Sequence, residues 1–425
     1  MVFDKIIKKK ESENLKIDFN ELKKFVSNKK NESHINAFSA ILKRERLSKD
    51  MTLEEVSNGI CSVSYLSKLE NNQIEPRNEY VRFLFDKLAI DYDHVVNSDY
   101  ETMLKDFVKY YYYGEVGKIC ESFGLIDFSL FDCNASLCGC FYHLANLELS
   151  EASKCLEEVD TVKNCLNDYS FLVYVYLLSE YSVISCEYNN GYKYLSSIKE
   201  STIQDATLKN LIYENIIVCS FHTKKYFELI CVYKSLNFNG QITFPNVRKN
   251  RCELLYKIVI GLDDFRTKEE LKSFIENSME VVNEGDNYYL ALMGLCKFRA
   301  FHDVIDIIES SGLYLRSDIC ALYGFAILES GLRSKYLGFL QLIQKIESVP
   351  NDKCHLKFIE LAKMKMENCD KVSLYEFVRY NALSFSNLYP HNLYDEFYGR
   401  EYVDLLVKFS KYKDSTLFLR EKLLL

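Results

Sequence analysis

The 425-residue sequence has no tryptophan, only 4 prolines and only 15 glycines. So few turn formers, together with a scarcity of β-branched runs bounded by turn dipeptides, argue against a sandwich or barrel and predict helices joined by short polar turns. Long apolar runs are missing as well. The most apolar stretch, FLVYVYLLSEYSVI at 171–184, is interrupted by Ser179 and Glu180 and falls short of the roughly 20 residues that a membrane span needs. The N-terminal MVFDKIIKKKESEN has no apolar segment long enough for a signal peptide. No GxxxxGK[ST], GxGxxG, HExxH or GxSxG occurs, and the seven histidines are scattered at positions 34, 94, 143, 222, 302, 355 and 391. These absences predict a soluble cytoplasmic protein that makes no membrane contact, is not an enzyme and carries neither cofactor nor metal.

What is present is apolar and aromatic. With 48% hydrophobic residues, 32 Tyr and 28 Phe, the chain has ample material to bury, which excludes a disordered protein. Its length exceeds the roughly 250 to 300 residues at which single cores stop growing, so a small domain followed by a repeat array is expected. The net charge of −8 divides unevenly. Residues 1–91 carry 17 Lys/Arg against 15 Asp/Glu, and residues 92–425 carry 36 against 46, giving +2 and −10. A slightly basic head on an acidic body permits a polyanionic partner for the head alone. The 15 cysteines are odd in number and spread singly from Cys61 to Cys369, as small apolar residues at helix interfaces are, and they fit a reduced compartment. Cys133, Cys138, Cys140 and His143 form the one cluster. The apolar helix pattern runs through it and no second ligand pair of zinc-site spacing follows, so no metal is expected there.

Residues 35–91 read as short helices. INAFSAILKRER places Ile35, Phe38, Ile41 and Leu42 on one face, with Arg44 and Arg46 at its polar edge. In MTLEEVSNGI, Thr52 is an N-cap and Glu55 lies three residues on, a capping box before Val56 and Ile60. Cys61 and Ser62 then lead into VSYLSKLENN, where Leu66 and Leu69 point inward and Val63, Ser64, Ser67 and Lys68 outward. Two short helices joined by a tight turn form a helix-turn-helix. A helix that enters the major groove needs short side chains near its N-terminus, and Ser62, Val63, Ser64, Tyr65 and Lys68 meet that demand. Thr52 and Ser62 also offer hydroxyls at helix N-termini, where phosphates bind. The competing interpretation is a merely solvated helix face.

These residues resemble the Xre/Cro-type helix-turn-helix. The matching features are Arg46, Met51-Thr52, Leu66-Ser67-Lys68-Leu69-Glu70, Pro76 and Leu88-Ala89-Ile90. The short spacing from Ile60 to Glu70 resembles the PlcR and NprR type of peptide-sensing regulator. The resemblance implies DNA contacts by Arg46, Thr52, Ser62, Val63, Ser64, Tyr65, Ser67 and Lys68, with Arg46 also paired to Glu70. Two positions depart from the family pattern. Leu53 stands where a DNA-contacting Gln is usual and Asp50 where the turn usually has Gly, which shifts base reading onto the helix at 62–72. Residues 1–34 form a Lys- and Asn-rich extension in which DFNELKKFVS at 18–27 fits one amphipathic helix.

From Tyr100 onward, 3.6-period apolar segments come in pairs. First helices of the pairs are expected near Ser136, Tyr169, Asp205, Pro245, Asn287, Leu315, Lys353 and His391, a spacing in the tetratricopeptide range. ALMGLCKF at 291–298 echoes ALYGFAIL at 321–328, each with a glycine where helices must approach closely. The expected architecture is all-α: an extension at 1–34, a helix-turn-helix at 35–91 and an α-solenoid of tetratricopeptide-like pairs at 92–425. That order is similar to the RRNPP peptide receptors, and the resemblance implies a quorum-sensing transcription regulator. Its partners would be double-stranded promoter DNA, a short signalling peptide and a second copy in a homodimer. An extended peptide needs its backbone groups paired, which Asn side chains do, while Tyr and Arg add shape and a carboxylate clamp. Residues at inner-helix positions are Asn210, Tyr213, Asn215, Arg248, Asn250, Arg251, Asn287, Tyr288 and Tyr323. A second reading is a Rap-like array that captures or inhibits a signalling protein. The apolar tail STLFLREKLLL at 415–425 suits either a dimer contact or a final docked helix.

Overall fold

Several helices in this protein begin where a side-chain oxygen meets their unpartnered N–H groups. Thr52 Oγ1 accepts from the Glu55 N–H at 3.2 Å and Ser62 Oγ from the Tyr65 N–H at 3.1 Å. Asp99 Oδ1 accepts from Thr102 at 3.1 Å, and Asp132 Oδ1 from Asn134 and Ala135 at 2.7 and 3.0 Å. The computed structural model describes residues 15, 17, 19, 20, 22, 23, 37–91, 99–129, 131–198, 203–236, 243–261, 265–278, 285–346 and 353–423. Among these residues the fold is all-helical.

The head contains α1 (Ala37–Ser48), α2 (Leu53–Ser57), α3 (Val63–Glu70) and α4 (Asn78–Lys87). Ile41 and Leu42 of α1, Val56 of α2, Leu66 and Leu69 of α3, and Val81, Leu84 and Phe85 of α4 share one core, joined by Leu88 and Ile90. Phe38 stands edge-on to Phe85 at 5.5 Å. Ile35, expected on the same face, lies outside the described residues. The capping box is present, since the Thr52 N–H also donates to Glu55 Oε2 at 2.7 Å. Those Thr52 donors hold the Glu55 carboxyl below its usual pKa. α2 stops at Ser57, short of Ile60, and Gly59 takes a left-handed φ of 81° in the turn before α3.

The extension contributes packing. Of 18–27, residues 19, 20, 22 and 23 are helical and the others lie outside the described residues. Leu22 is fully buried, Phe19 meets the Tyr194 ring edge-on at 6.2 Å, and the Tyr194 hydroxyl donates to the Ile17 carbonyl at 3.3 Å.

Helix pairs follow. They are α5 (Tyr100–Tyr113) with α6 (Val116–Phe123), α7 (Cys133–Ala145) with α8 (Leu149–Thr161), and α9 (Asp168–Ile184) with α10 (Tyr188–Ser196). Next come α11 (Ala206–His222) with α12 (Tyr226–Ser235), α13 (Asn246–Ile260) with α14 (Phe265–Ser278), and α15 (Gly285–Lys297) with α16 (Phe301–Ser311). Then α17 (Ser317–Ser330) precedes α18 (Tyr336–Leu342). α19 (Lys353–Met366) precedes α20 (Lys371–Glu376), which runs through a π-helical turn at Phe377–Ala382 into α21 (Leu383–Leu388). α22 (Tyr394–Lys408) and α23 (Tyr412–Leu423) close the described chain. The first helices begin within a few residues of the positions expected from periodicity.

The chain divides into two compact units, residues 1–181 with 193–212, and residues 182–192 with 213–425. The head shares the first unit with the pairs that follow it. In that unit α5 packs on α7 and α7 on α8. In the second, α13 packs on α15, α15 on α17 and α17 on α19, the neighbour-to-neighbour pattern of a repeat array. The second unit adds contacts between distant parts of the sequence. Asn392 Nδ2 donates to the Phe221 carbonyl at 2.9 Å, Lys224 pairs with Glu396 at 3.2 Å, and Asn189 Nδ2 donates to the Asn387 carbonyl at 3.4 Å. α23 packs on α22 through Phe418, which meets Tyr402 edge-on at 5.0 Å, while Leu417 and Leu419 are exposed.

Candidate nucleic-acid interface

α3 divides its residues cleanly. Leu66 and Leu69 are fully buried in the head core, whereas Ser62, Val63, Ser64 and Lys68 are exposed and Ser67 is half-buried. The exposed set is short and lies at the N-terminal end, apart from Lys68 one turn on. A backbone with such a face can approach base edges closely, and Lys68 can reach phosphate or a purine acceptor. Thr52, at the start of α2, is exposed too. α2 and α3 therefore present two helix N-termini carrying hydroxyls.

Arg46 and Glu70 lock α1 to α3. Arg46 Nε and Nη2 donate to the two Glu70 oxygens at 2.7 and 2.8 Å, and Nη1 donates to the Met51 carbonyl at 2.9 Å. The side chains are 12% and 4% exposed, so this is a bidentate, largely dry pair. The hydrogen bonds to Glu70 raise the Arg46 pKa despite partial burial. The pair fixes the recognition helix in the head, and most of the guanidinium's hydrogen-bonding capacity is turned inward.

Two residues take roles that their sequence positions did not announce. Tyr65, read as a DNA contact, is half-buried. Its hydroxyl accepts from the Arg77 N–H at 3.0 Å and its ring stands edge-on to Tyr80 at 5.2 Å. It braces the start of α4 beside the exposed Arg77, a residue that sequence reasoning overlooked because no helix pattern includes it. Leu53 packs against the head core, the physical counterpart of losing a polar residue there.

The candidate peptide contacts lie on α11, α13, α15 and α17, and Asn210 falls in the first unit and the others in the second. Asn210 Nδ2 donates to the Tyr112 hydroxyl at 3.0 Å. Glu214, fully buried, gathers Arg248 and Arg251, the latter donating to Oε1 at 3.1 Å. Asn250 lines a shallow cleft with Glu253, Lys257, Glu270 and Phe274. Tyr213 and Asn215 are buried, at 4% and 2% exposure. Asn287 is fully buried. Its Nδ2 donates to the Val247 carbonyl at 2.9 Å, and its Oδ1 has no partner among the described residues. Tyr288 is buried, which pushes its phenol pKa up, and Tyr323 donates its hydroxyl to Glu309 at 2.7 Å. Arg248 and Arg251 are thus brought together, while Tyr213, Asn215, Tyr288 and Tyr323 are placed in packing. Cys133, Cys138 and Cys140 are buried thiols whose pKa burial pushes well up.

Residues 42–95 match the helix-turn-helix family HTH_3. The match covers most of the head core and the exposed face of α3. No curated protein matches the chain. The match and the geometry of α2 and α3 agree on a DNA-binding helix-turn-helix at the front of an all-helical, repeat-like chain. Among the described residues no helix is long and apolar enough to cross a membrane.

Proposed function

We propose that the protein is a cytoplasmic transcription regulator that reads promoter DNA as a homodimer through α3 and is switched by a short signalling peptide held by the repeat region. The observation that carries the DNA-reading half is the exposed, short-chained face of Ser62, Val63, Ser64 and Lys68 on a helix-turn-helix head. One such head buries too little surface to choose a site in a genome, and two heads on half-sites supply the missing specificity. A head carrying only +2 gains little from broad electrostatic attraction, which favours the same pairing.

The peptide half rests on the chemistry of α13 and α15. Arg248 and Arg251 already hold a carboxylate, that of Glu214, so the geometry suits a peptide carboxylate that competes for them. The buried Oδ1 of Asn287 is an acceptor with no donor among the described residues, and a peptide N–H could supply one.

The test of DNA reading is the full chain with Ser64→Glu and Lys68→Glu. Both positions are exposed, so the fold should survive while carboxylates face phosphates and base acceptors. The expected result is loss of the mobility shift of the promoter region at physiological salt with an unchanged thermal melt. Normal binding by the folded double variant would refute the reading. Light scattering tests the homodimer: twice the 49.8 kDa chain mass supports it, and a monomer with and without DNA removes it.

A further inference from the structure

The last carbonyls of a helix have no partner within it. In α3 the Glu70 carbonyl is met from outside the head, by Cys165 Sγ donating at 3.6 Å. Cys165 is 4% exposed and belongs to the single 3₁₀ turn Lys163–Cys165 that follows α8. Burial pushes its thiol pKa up to about 12, so at neutral pH the sulfur keeps the proton it donates. Beside it, Asn164 Nδ2 donates to Oδ1 of Asn71, the residue that ends α3, at 3.3 Å. On α1, Arg44 Nη2 pairs with Glu158 of α8 at 3.3 Å, and its guanidinium lies 5.6 Å from the centre of the Phe131 ring.

The turn is itself anchored. Lys163 Nζ reaches both oxygens of Asp160 at 2.7 and 2.8 Å, and the buried Tyr174 of α9 donates its hydroxyl to the same Asp160 at 2.7 Å. These contacts hold the C-terminal end of α3 and leave its Ser62, Val63, Ser64 and Lys68 face exposed.

We propose that Glu158, Asn164 and Cys165 are positioning residues for DNA reading, which fix the recognition helix to the α8–α9 segment so that the body sets the separation of paired heads. The inference rests on the DNA-reading role proposed above. Heads on flexible tethers accept half-sites at several separations, because the entropy of a flexible chain changes slowly with its span. A docked head accepts one. The Arg44–Glu158 pair is partly exposed and contributes little to stability, so loosening it should change register more than folding.

The experiment enriches bound sequences from a random duplex library with the full-length chain, comparing wild type, Glu158→Lys with Asn164→Ala, Cys165→Val and Cys165→Ser. Serine keeps a donor for the Glu70 carbonyl. The expected wild-type product is paired half-sites at one separation. Glu158→Lys/Asn164→Ala and Cys165→Val should retain the half-site and lose the separation preference, and Cys165→Ser should restore it. A Glu158→Lys/Asn164→Ala chain that keeps the wild-type separation overturns the proposal, as does one that loses the half-site too. So does a wild type that enriches half-sites singly or at no fixed separation. A wild type that enriches nothing removes the DNA-reading role itself, and the inference with it.

Discussion

Asp50 and Ala89 both hold left-handed backbone in the head, at φ 52° and 53°. Glycine takes such backbone without strain, and the two residues present differ in cost. Asp tolerates the left-handed region through local hydrogen bonding, while Ala meets the full Cβ penalty of about 1 to 2 kcal/mol. Glycine returns part of that gain through its larger unfolded-state entropy, about 0.5 to 1 kcal/mol. Ala89→Gly is therefore expected to stabilise the head by about 0.5 to 1 kcal/mol in urea unfolding, and Asp50→Gly by less; a lower midpoint for Ala89→Gly would contradict the argument. The Arg46–Glu70 pair has the opposite sensitivity. Removing one partner strands a nearly dry charge, so Arg46→Met should cost about 3 kcal/mol or more, and replacing both residues by apolar ones should cost much less. Urea unfolding of the first unit reads both.

Helix packing in the repeat region turns on two glycines. In an exposed helix interior Gly→Ala ordinarily stabilises by about 1 kcal/mol. At Gly294 of α15 an added Cβ would lie 2.9 Å from Ile258 Cγ1 and from Leu271 Cδ1, and at Gly324 of α17 it would lie 2.7 Å from Phe339 Cζ. Overpacking of this kind costs about 1 to 3 kcal/mol and outweighs the propensity gain. Gly338 of α18 has open space at the same point. Thermal melts should accordingly show Gly294→Ala and Gly324→Ala destabilised and Gly338→Ala unchanged or raised. Stabilisation at Gly324 would show that the α17–α18 contact is loose in solution.

Three histidines, His222, His355 and His391, are buried in the second unit. His391 lies against Tyr394 at 3.8 Å, its Nε2 is 2.7 Å from the Tyr289 hydroxyl, and its backbone N–H donates to Asp395. Tyr188 stacks on His222 at 3.9 Å, and Lys297, donating to the Tyr226 hydroxyl and to Asn392, is the nearby cation. Burial holds His222 down to about 3 and His391 well below its usual value, with His355 adding to both shifts. A folded pKa below the unfolded one means that the neutral form is the stable form. The stability is present above the unfolded pKa of about 6.5 and is lost as pH falls below it, by up to about 1.4 kcal/mol per pH unit for each histidine. The urea midpoint of the second unit should drop between pH 7 and pH 5, and His391→Gln should flatten that slope. A wild-type midpoint constant over the same range would count against the arrangement.

Much of the fold and part of the site were legible in the residues themselves. Apolar periodicity reports which face of a helix is buried, and N-cap oxygens report where it begins, because both are local properties; hence α1 to α3, the Thr52–Glu55 box and the starts of the first helices of the later pairs could be read directly. Arg46–Glu70 was legible only through the resemblance to a known head, and Gly294 and Gly324 through an internal echo. Tertiary structure alone decided that Tyr65 braces Arg77, that Glu214 gathers Arg248 and Arg251, and that Cys165 meets Glu70 across 95 residues of sequence. The same holds for Asn392 and Phe221, 171 residues apart. A polar side chain on a helix carries no mark of its partner's position: periodicity states that it will be buried, and only packing against distant helices determines which group satisfies it.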